Sequence, residues 1–308
     1  MNSTVMSVQT STPNNKIKKS AGENIGTFII YLVVFLFALI CILPFILVII
    51  VSFSSEKSIT VNGYSFWPSE WSVSAYKMLF LPSSSVPQSY LVTSISTVCG
   101  TIVASFITFG AGYTLANKSC RYRDGLSLYF YITMVFSAGL VPWYMMCKAL
   151  NCYDNIWALI IPSLLFNPFN MFLVRNFVRG IPAELNESAK IDGAGEVKIA
   201  FSIYFPLCMP VLATIALFYA IGYWNNYFNA VMLINDTKYY TLQMLLFKIQ
   251  SEITALSKLA VGATQSANPP KESFKMATSV VTMGPIIILY PFLQKYFVKG
   301  MVVGAVKG

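Results

Sequence analysis

Residues 24–55 read NIGTFIIYLVVFLFALICILPFILVIIVSFSS, a stretch without a single Asp, Glu, Lys or Arg. A charged side chain at the centre of a membrane-spanning helix costs about 2.5 to 3.5 kcal/mol, and about 20 apolar residues are enough to cross the hydrocarbon layer. The stretch is therefore long and apolar enough to span a bilayer. Because it is too long for a signal peptide and no small-residue cleavage site leads into a soluble domain, we expect it to remain as an anchor.

Five further stretches of the chain also lack charged residues. Together with Asn24–Ser55 they are Met78–Asn117, Gly125–Cys147, Asn155–Val174, Ile199–Asn235 and Met276–Gln294. Any one of them could be a buried helix of a soluble protein. The whole chain, however, has only 11% charged residues and a mean hydropathy of +0.63, against roughly 25% charged residues in soluble domains. The sequence thus predicts an all-α integral membrane protein with six transmembrane helices.

The positive charges indicate the orientation of these helices. Thirteen of the 21 Lys and Arg residues lie before the first stretch or after the second, fourth and sixth stretches. Cytoplasmic connections carry the excess of Lys and Arg, so both termini are expected in the cytoplasm. This bias and contact with anionic membrane lipid account for the net charge of +9 without a nucleic acid partner.

The same pattern predicts how the chain is organised. A cytoplasmic tail covers residues 1–24, and a first transmembrane helix with an outer loop covers 25–87. A core of five helices follows over 88–300, with a cytoplasmic hairpin at about 181–206, and residues 301–308 form a short cytoplasmic tail.

Several kinds of chemistry are missing from the sequence. There is no histidine, and the stretch Gly193 to Lys198 does not have the spacing of a phosphate-binding loop. The six cysteines show no metal-ligand or CxxC spacing, so we expect packing residues and no metal site. The chain is therefore not expected to be an enzyme or to hydrolyse ATP. Since the apolar stretches carry no coupling charge, uphill transport would need energy from another chain.

The connection between the fourth and fifth stretches is unusually long. Residues 181–206 read IPAELNESAKIDGAGEVKIAFSIYFP. Pro182 suits the first position of a helix, which we expect to run to about Asp192, and Gly193 can take the left-handed conformation that ends it. A second helix would restart at Glu196. Leu185 and Ala189 share one face of the first helix, which fits either a protein docking surface or an amphipathic hairpin on lipid headgroups.

This hairpin resembles the EAA motif of binding-protein-dependent ABC importer permeases in residue identity and spacing. The residues that match or replace motif positions are Glu187, Ser188, Ala189, Asp192, Gly193, Ile203 and Pro206. Two positions depart from the pattern: Ser188 replaces Ala, and Phe205 replaces Leu. The segments Gly139–Pro142, Trp157–Pro162, Leu217–Ala230 and Tyr296–Gly300 also resemble the oligosaccharide branch of these permeases.

The resemblance implies a fold, a set of partners and a location. It implies the type I ABC importer permease fold in a bacterial plasma (inner) membrane, with the hairpin seated on a cytoplasmic ATPase. The partners would be a second permease subunit in a heterodimer, two ATPase subunits, an extracellular solute-binding protein and a sugar substrate. ATP and Mg²⁺ would bind the ATPases, and this chain would hold no cofactor. The alternative is a facilitative channel or carrier without an ATPase partner.

The end of the fifth stretch contains candidate residues for the translocation pathway. They are Tyr223, Trp224, Asn225, Asn226 and Asn229. Aromatic faces can cover the C–H side of a sugar ring, and carboxamides exchange hydrogen bonds with its hydroxyls. The alternative is an aromatic belt at the membrane interface. The connection Asp236–Lys275 faces the solute-binding protein in the resembling family, although a solvated linker would also fit.

Overall fold

A computed structural model describes residues 21–81, 84–162, 164–259 and 272–305. Within those ranges the chain is helical, and the only β-type pairing is an isolated antiparallel bridge between Ser54 and Trp71. The helical class predicted from the sequence is confirmed. The predicted N-terminal tail up to residue 20 and the last three residues lie outside the described residues. The chain divides into two compact units, residues 1–47 and 48–308.

The described part of the first unit is helical. It belongs to α1, which spans Ala21–Ser52 and contains Pro44. Within the segment Ile25–Ser52 of this helix, an 18-residue window has a mean hydropathy of 3.4. Because the apolar residues occupy every side of the helix, it has the character of a lipid-spanning segment and not of an amphipathic surface helix.

The second unit contains the remaining helices. They are α2 (Glu56–Asn62), α3 (Ser74–Leu79), α4 (Val86–Ala116), α5 (Arg123–Val135), α6 (Leu140–Ala149), α7 (Trp157–Ile160), α8 (Pro168–Arg179), α9 (Glu184–Ile191), α10 (Glu196–Ile199), α11 (Phe205–Leu207), α12 (Met209–Trp224), α13 (Phe228–Leu233), α14 (Leu242–Leu259) and α15 (Glu272–Ala305). A π-helical segment over Ala200–Tyr204 joins α10 to α11, and a 3₁₀ turn covers Thr237–Tyr239.

Helix α4 is the central element of the second unit, since it packs along both α8 and α12. Small residues on α4 allow this. A β-carbon at Gly112 would lie 2.8 Å from Cβ of Val174 on α8, and Ala104 is fully buried. Close approach through small residues is the usual way in which helices associate in membranes, where lipid supplies no hydrophobic driving force.

Two breaks in the helices redirect the chain. The chain bends by 117° between α5 and α6, and by 81° between the segment Glu196–Leu207 and α12. Pro206 and Pro210 lie on either side of the second break and cannot donate backbone hydrogen bonds, which favours a bend there.

Helix length and composition support fewer continuous spans than the sequence predicts. Among the described residues, Ile25–Ser52 and Val86–Ala116 are long and apolar enough to cross a membrane, and the count reaches four if each bent pair forms one span. The fourth apolar stretch, 155–174, holds the four-residue α7 and the start of α8, and the described residues between them, 161–162 and 164–167, are not helical. A six-helix count and the orientation therefore stay predictions.

Candidate functional site

The hairpin predicted at 181–206 is a helix, a turn and a second helix. Helix α9 begins at Glu184, two residues after Pro182, and Ala183 is its N-cap. The Ala183 carbonyl accepts the first bonds of the helix, from the N–H groups of Asn186 and Glu187 at 3.0 and 3.1 Å. Pro182 therefore precedes the helix and does not occupy its first position. The helix ends at Ile191, with Asp192 as its C-terminal cap, close to the predicted end.

The turn depends on Gly193, which has φ of 74°. The Gly193 N–H donates to the Lys190 carbonyl at 3.0 Å, and the Ala194 N–H donates to the Ala189 carbonyl at 2.9 Å. These two bonds form the Schellman arrangement, which requires a left-handed residue just after the helix. The left-handed conformation predicted for Gly193 is confirmed, as is the restart of the helix at Glu196.

Two residues of α9, Ala189 and Leu185, differ in exposure. Ala189 is only 7% exposed and packs in a core cluster that includes Val178 and Tyr204. Leu185 is 42% exposed. Leu185 and Ala189 lie one turn apart in α9 and share a helix face as predicted. Ala189 is nevertheless buried against the chain's own core, so only Leu185 is exposed on that face.

Two residues of the exposed surface were not singled out from the sequence. Ile191 and Val197 flank the turn and are 86% and 74% exposed. With Leu185 they give the outer surface of the hairpin an apolar component. The sequence carried a signal for them, namely two aliphatic residues beside a Gly-rich turn between charged neighbours.

The motif residues fall into two groups. Four of them are exposed around the end of α9 and the turn: Glu187, Ser188, Asp192 and Gly193. Ala189 and Ile203 pack toward the core, and Pro206 is exposed within α11. Four motif residues are thus exposed near the turn, while Ala189 and Ile203 attach the hairpin to the core.

Phe205 has a clear packing role. Its ring lies 5.5 Å from the ring of Phe106, nearly parallel, and 5.1 Å from the ring of Phe109, edge on. Both partners belong to α4. The replacement of Leu by Phe in the motif therefore adds aromatic contacts between α11 and α4.

The five candidate pathway residues lie at the break between α12 and α13, but only Asn225 is exposed. Tyr223, Trp224, Asn226 and Asn229 are 1%, 7%, 7% and 3% exposed. Asn225 donates from Nδ2 to the Ile221 carbonyl at 3.0 Å and accepts at Oδ1 from Nε2 of Gln243 at 3.0 Å.

The buried polar side chains at this break donate to the backbone around α7. The Tyr223 hydroxyl donates to the Ile160 carbonyl at 3.0 Å. Asn226 Nδ2 donates to the Leu159 carbonyl at 3.1 Å, and Asn229 Nδ2 donates to the Pro162 carbonyl at 2.7 Å. A helix as short as α7 cannot pair all of its own carbonyls, so these donors hold the broken segment against α12 and α13.

Trp224 makes a similar contact on another side of the break. Its indole N–H donates to the Thr282 carbonyl of α15 at 3.1 Å, and its ring lies edge on to Tyr90 of α4 at 6.0 Å. The break is therefore anchored to α4, α7 and α15. Such fully bonded polar groups make the conformation of a break specific.

The segment after α13 is organised by ionic contacts. Asp154 Oδ1 accepts from the N–H groups of Asn235 and Asp236 at 3.0 and 2.8 Å. The Lys238 ammonium lies 2.9 Å from Asp236 Oδ2. This partner lowers the pKa of the Asp236 carboxyl and raises the pKa of Lys238. Both side chains are partly exposed, so the pair is screened by water and contributes little stability.

A second polar cluster fixes the start of α15. Glu56 of α2 accepts from the N–H groups of Glu272 and Ser273, both at 3.2 Å, which caps the helix. Tyr64 donates to Glu272 Oε2 at 2.6 Å. The pKa of Tyr64 is raised to about 12, mainly by partial burial of its hydroxyl and secondly by this bond to the Glu272 carboxylate. Residues 260–271 of the connection Asp236–Lys275 lie outside the described residues.

In the part of the chain that the structure describes, no three His, Cys, Asp or Glu side chains are grouped so as to hold a metal ion. The arrangement can bind a partner surface at the hairpin and can place an uncharged polar side chain at the break.

Long apolar helices with an exposed EAA-like hairpin define a subunit of a membrane transporter. The chain matches the family described as "Binding-protein-dependent transport system inner membrane component" over residues 17–303, and it belongs to that family. It is accordingly a permease subunit of an ABC importer and not an enzyme.

Individual relatives agree with the family. The chain is 42% identical to "Protein LplC" of Bacillus subtilis (strain 168) over 272 residues, which covers 87% of this chain and 90% of that protein. It is 38% identical to "Polygalacturonan/rhamnogalacturonan transport system permease protein YtcP" of the same organism, over 91% of this chain and 97% of that protein.

A solved structure has the same fold. It is described as "Crystal structure of a bacterial ABC transporter involved in the import of the acidic polysaccharide alginate". The TM-score is 0.79 at 30% sequence identity, over 91% of this chain and 99% of the matched chain. The ABC importer permease fold expected from the EAA-like residues is thereby confirmed.

Proposed function

We propose that this chain forms part of the translocation pathway for an oligosaccharide in a bacterial plasma membrane. It works by alternating access in a complex with a second permease subunit, two cytoplasmic ATPase subunits and an extracellular solute-binding protein. The chain crosses the membrane six times, with both termini in the cytoplasm. ATP and Mg²⁺ bind the ATPase subunits.

The carbohydrate assignment is supported by the names of several relatives. Besides YtcP, they include "Melibiose/raffinose/stachyose import permease protein MelC" of Bacillus subtilis (strain 168), which is 32% identical over 73% of this chain. The solved structure with the same fold belongs to an importer of a polysaccharide. These substrates share ring hydroxyls and C–H faces, and so the pathway needs uncharged polar groups and aromatic surface.

One observation carries the proposed coupling to an ATPase: the hairpin combines a turn of defined conformation with an exposed surface. Gly193 fixes the turn through its left-handed backbone, and Leu185, Ile191 and Val197 expose aliphatic side chains next to Glu187 and Asp192. Protein interfaces combine an apolar centre with a polar rim, and this surface likewise has aliphatic side chains among charged ones. The ATPase would bind there.

The pathway role narrows to Asn225 as the side chain that contacts sugar. Tyr223, Trp224, Asn226 and Asn229 are buried and bonded to backbone, and in this proposal they hold the break that presents Asn225. The bond from Gln243 to Asn225 would be exchanged for bonds to sugar hydroxyls during transport.

The test is ATP-dependent uptake by the complete complex. Ile191→Asp places a charge on the exposed surface, so we expect the ATPase to dissociate during purification and uptake to be lost. Val61→Asp is the matched control, because Val61 is an aliphatic residue of α2 that is 81% exposed. Uptake that persists without ATP would contradict the proposal and favour a facilitative carrier.

A further inference from the structure

The Glu196 carboxylate joins three segments of the chain at the base of the hairpin. Its Oε1 lies 2.7 Å from the Lys190 ammonium on α9. Its Oε2 accepts from the Tyr113 hydroxyl at 3.2 Å and from Asn117 Nδ2 at 3.3 Å. Tyr113 lies in the last turn of α4, and Asn117 caps that helix. Both carboxylate oxygens are therefore used, one for each helix.

We infer that Glu196 is a positioning residue that fastens the hairpin to the end of α4, so that a push on α9 moves α4 and is not absorbed by the turn. This inference rests on the proposed coupling to an ATPase. Glu196 is not one of the motif residues identified from the sequence.

The turn by itself is poorly suited to transmit force. Residues 192–195 include two glycines, are mostly exposed, and no β-carbon placed at Gly193 or Gly195 would meet another atom within 4 Å. A cavity of about 340 Å³ lies between α9 and the ends of α4 and α8, and Tyr113, Asn117 and Lys190 line it. The three partners of Glu196 therefore lie at the edge of a cavity, where packing alone does not hold α9 against α4.

The energetics favour a mechanical role over a stabilising one. The Lys190 and Glu196 side chains are 41% and 49% exposed, and exposed ion pairs contribute little to stability. The Glu196 carboxylate nevertheless accepts from three donors through its two oxygens. Together these bonds fix the orientation of α9 relative to the end of α4, because each bond depends on the position of the other two. Removing the carboxylate should loosen the hairpin without unfolding the helices.

Helix α4 can carry the movement onward. The Tyr113 ring contacts the Tyr204 ring edge on at 5.2 Å, so Tyr113 is held by packing as well as by its bond to Glu196. From there α4 runs along α8 and α12 as far as Gly100, which lies against Tyr223 at the break. A displacement of the α4 end therefore reaches the break that presents Asn225 through one continuous helix.

The experiment uses the complete complex and compares sugar imported per ATP hydrolysed. Glu196→Ala is expected to lower this ratio about threefold or more, the range seen when coupling contacts are removed, while the ATPase still copurifies and hydrolyses ATP. Tyr113→Phe, which removes only one donor, should lower the ratio in the same direction. The charge exchange K190E/E196K should recover part of the ratio lost in the single variant E196K. Glu184→Ala, an exposed carboxylate on α9, is the matched control.

The outcomes separate this inference from the proposed function. A ratio unchanged in both Glu196→Ala and Tyr113→Phe would overturn the inference and leave the proposed function intact. Loss of the ATPase from Glu196→Ala but not from the parent complex would also overturn it, since Glu196 would then be a docking residue. If the parent complex itself holds no ATPase, the proposed function fails. Should Glu196→Ala not assemble, Tyr113→Phe and the charge exchange decide the question.

Discussion

Gly100 of α4 lies directly against the ring of Tyr223 at the end of α12. A β-carbon at Gly100 would come within 2.6 Å of Cε1 and 2.7 Å of Cε2 of that ring. The ring cannot easily retreat, because Tyr223 is 1% exposed and its hydroxyl donates to the Ile160 carbonyl at 3.0 Å. One glycine thus allows α4, α7 and α12 to meet at the break.

Gly100→Ala should therefore destabilise the protein. Forcing an extra carbon into a filled site costs about 1 to 3 kcal/mol, which exceeds the gain of up to about 1 kcal/mol from replacing glycine inside a helix. We expect a lower midpoint of thermal unfolding for the purified complex. Gly110→Ala is the control on the same helix, since a β-carbon there meets nothing within 4 Å. Equal midpoints for the two variants would contradict this interpretation.

The sequence predicts local conformation better than the direction of side chains. The left-handed Gly193 was predictable, because a glycine that follows a helical run has few other uses. The inward position of Ala189 was not, since α9 has small or polar residues on several sides and periodicity alone does not choose the buried one. Likewise, the charge-free stretch 155–174 gives no sign that α7 stops after four residues.

The break after α12 illustrates the same limit. Three Asn residues within five positions predict a polar surface, and the prediction that they contact sugar stays untested. Asn225 is exposed, whereas the burial of Asn226, Asn229 and the neighbouring Tyr223 follows from a requirement that the sequence does not display. The carbonyls of Leu159, Pro162 and Ile160, respectively, need donors. Only the folded chain brings residues 159–162 next to 223–229.

Because Asn229 and Asn226 are buried and Asn225 is exposed, we expect substitutions of the first two to impair assembly and a substitution of Asn225 to impair transport. Asn229→Leu removes the donor to the buried Pro162 carbonyl, and an unsatisfied buried group costs about 1 to 3 kcal/mol. We expect less assembled complex in the membrane, measured by size-exclusion chromatography of a fluorescent fusion. Asn226→Leu should behave in the same way.

Asn225→Leu should instead assemble normally and lose uptake, because Asn225 is exposed and its bonds to Ile221 and Gln243 are replaceable by water. Normal uptake by Asn225→Leu would remove it from the pathway. Normal assembly of both Asn226→Leu and Asn229→Leu would show that the break does not need their bonds.

The orientation of the chain can be tested with cysteines on opposite sides of the predicted membrane. Glu184→Cys on α9 and Lys238→Cys in the 3₁₀ turn both replace exposed residues. A membrane-impermeant maleimide added to intact cells should label Lys238→Cys above the level of the parent chain, which has six native cysteines. Glu184→Cys should react only after the membrane is opened. Labelling of Glu184→Cys in intact cells would place the hairpin outside and exclude an ATPase contact.

Gly193 provides the most direct test of whether the shape of the hairpin matters for coupling. Its φ of 74° is unfavourable for any residue with a β-carbon, and such a residue costs about 1 to 2 kcal/mol there. Gly193→Ala should shift the turn toward other conformations and so move the exposed Ile191 and Val197 relative to each other. The chain would still assemble, since these residues are exposed, but less ATPase would copurify and uptake would fall. Gly195→Ala is the matched control two residues away, because Gly195 has φ of −70° and open space around its α-carbon. If both variants retained the ATPase and transported equally well, the left-handed turn would not be needed for the contact, and the hairpin would have to bind through side chains alone.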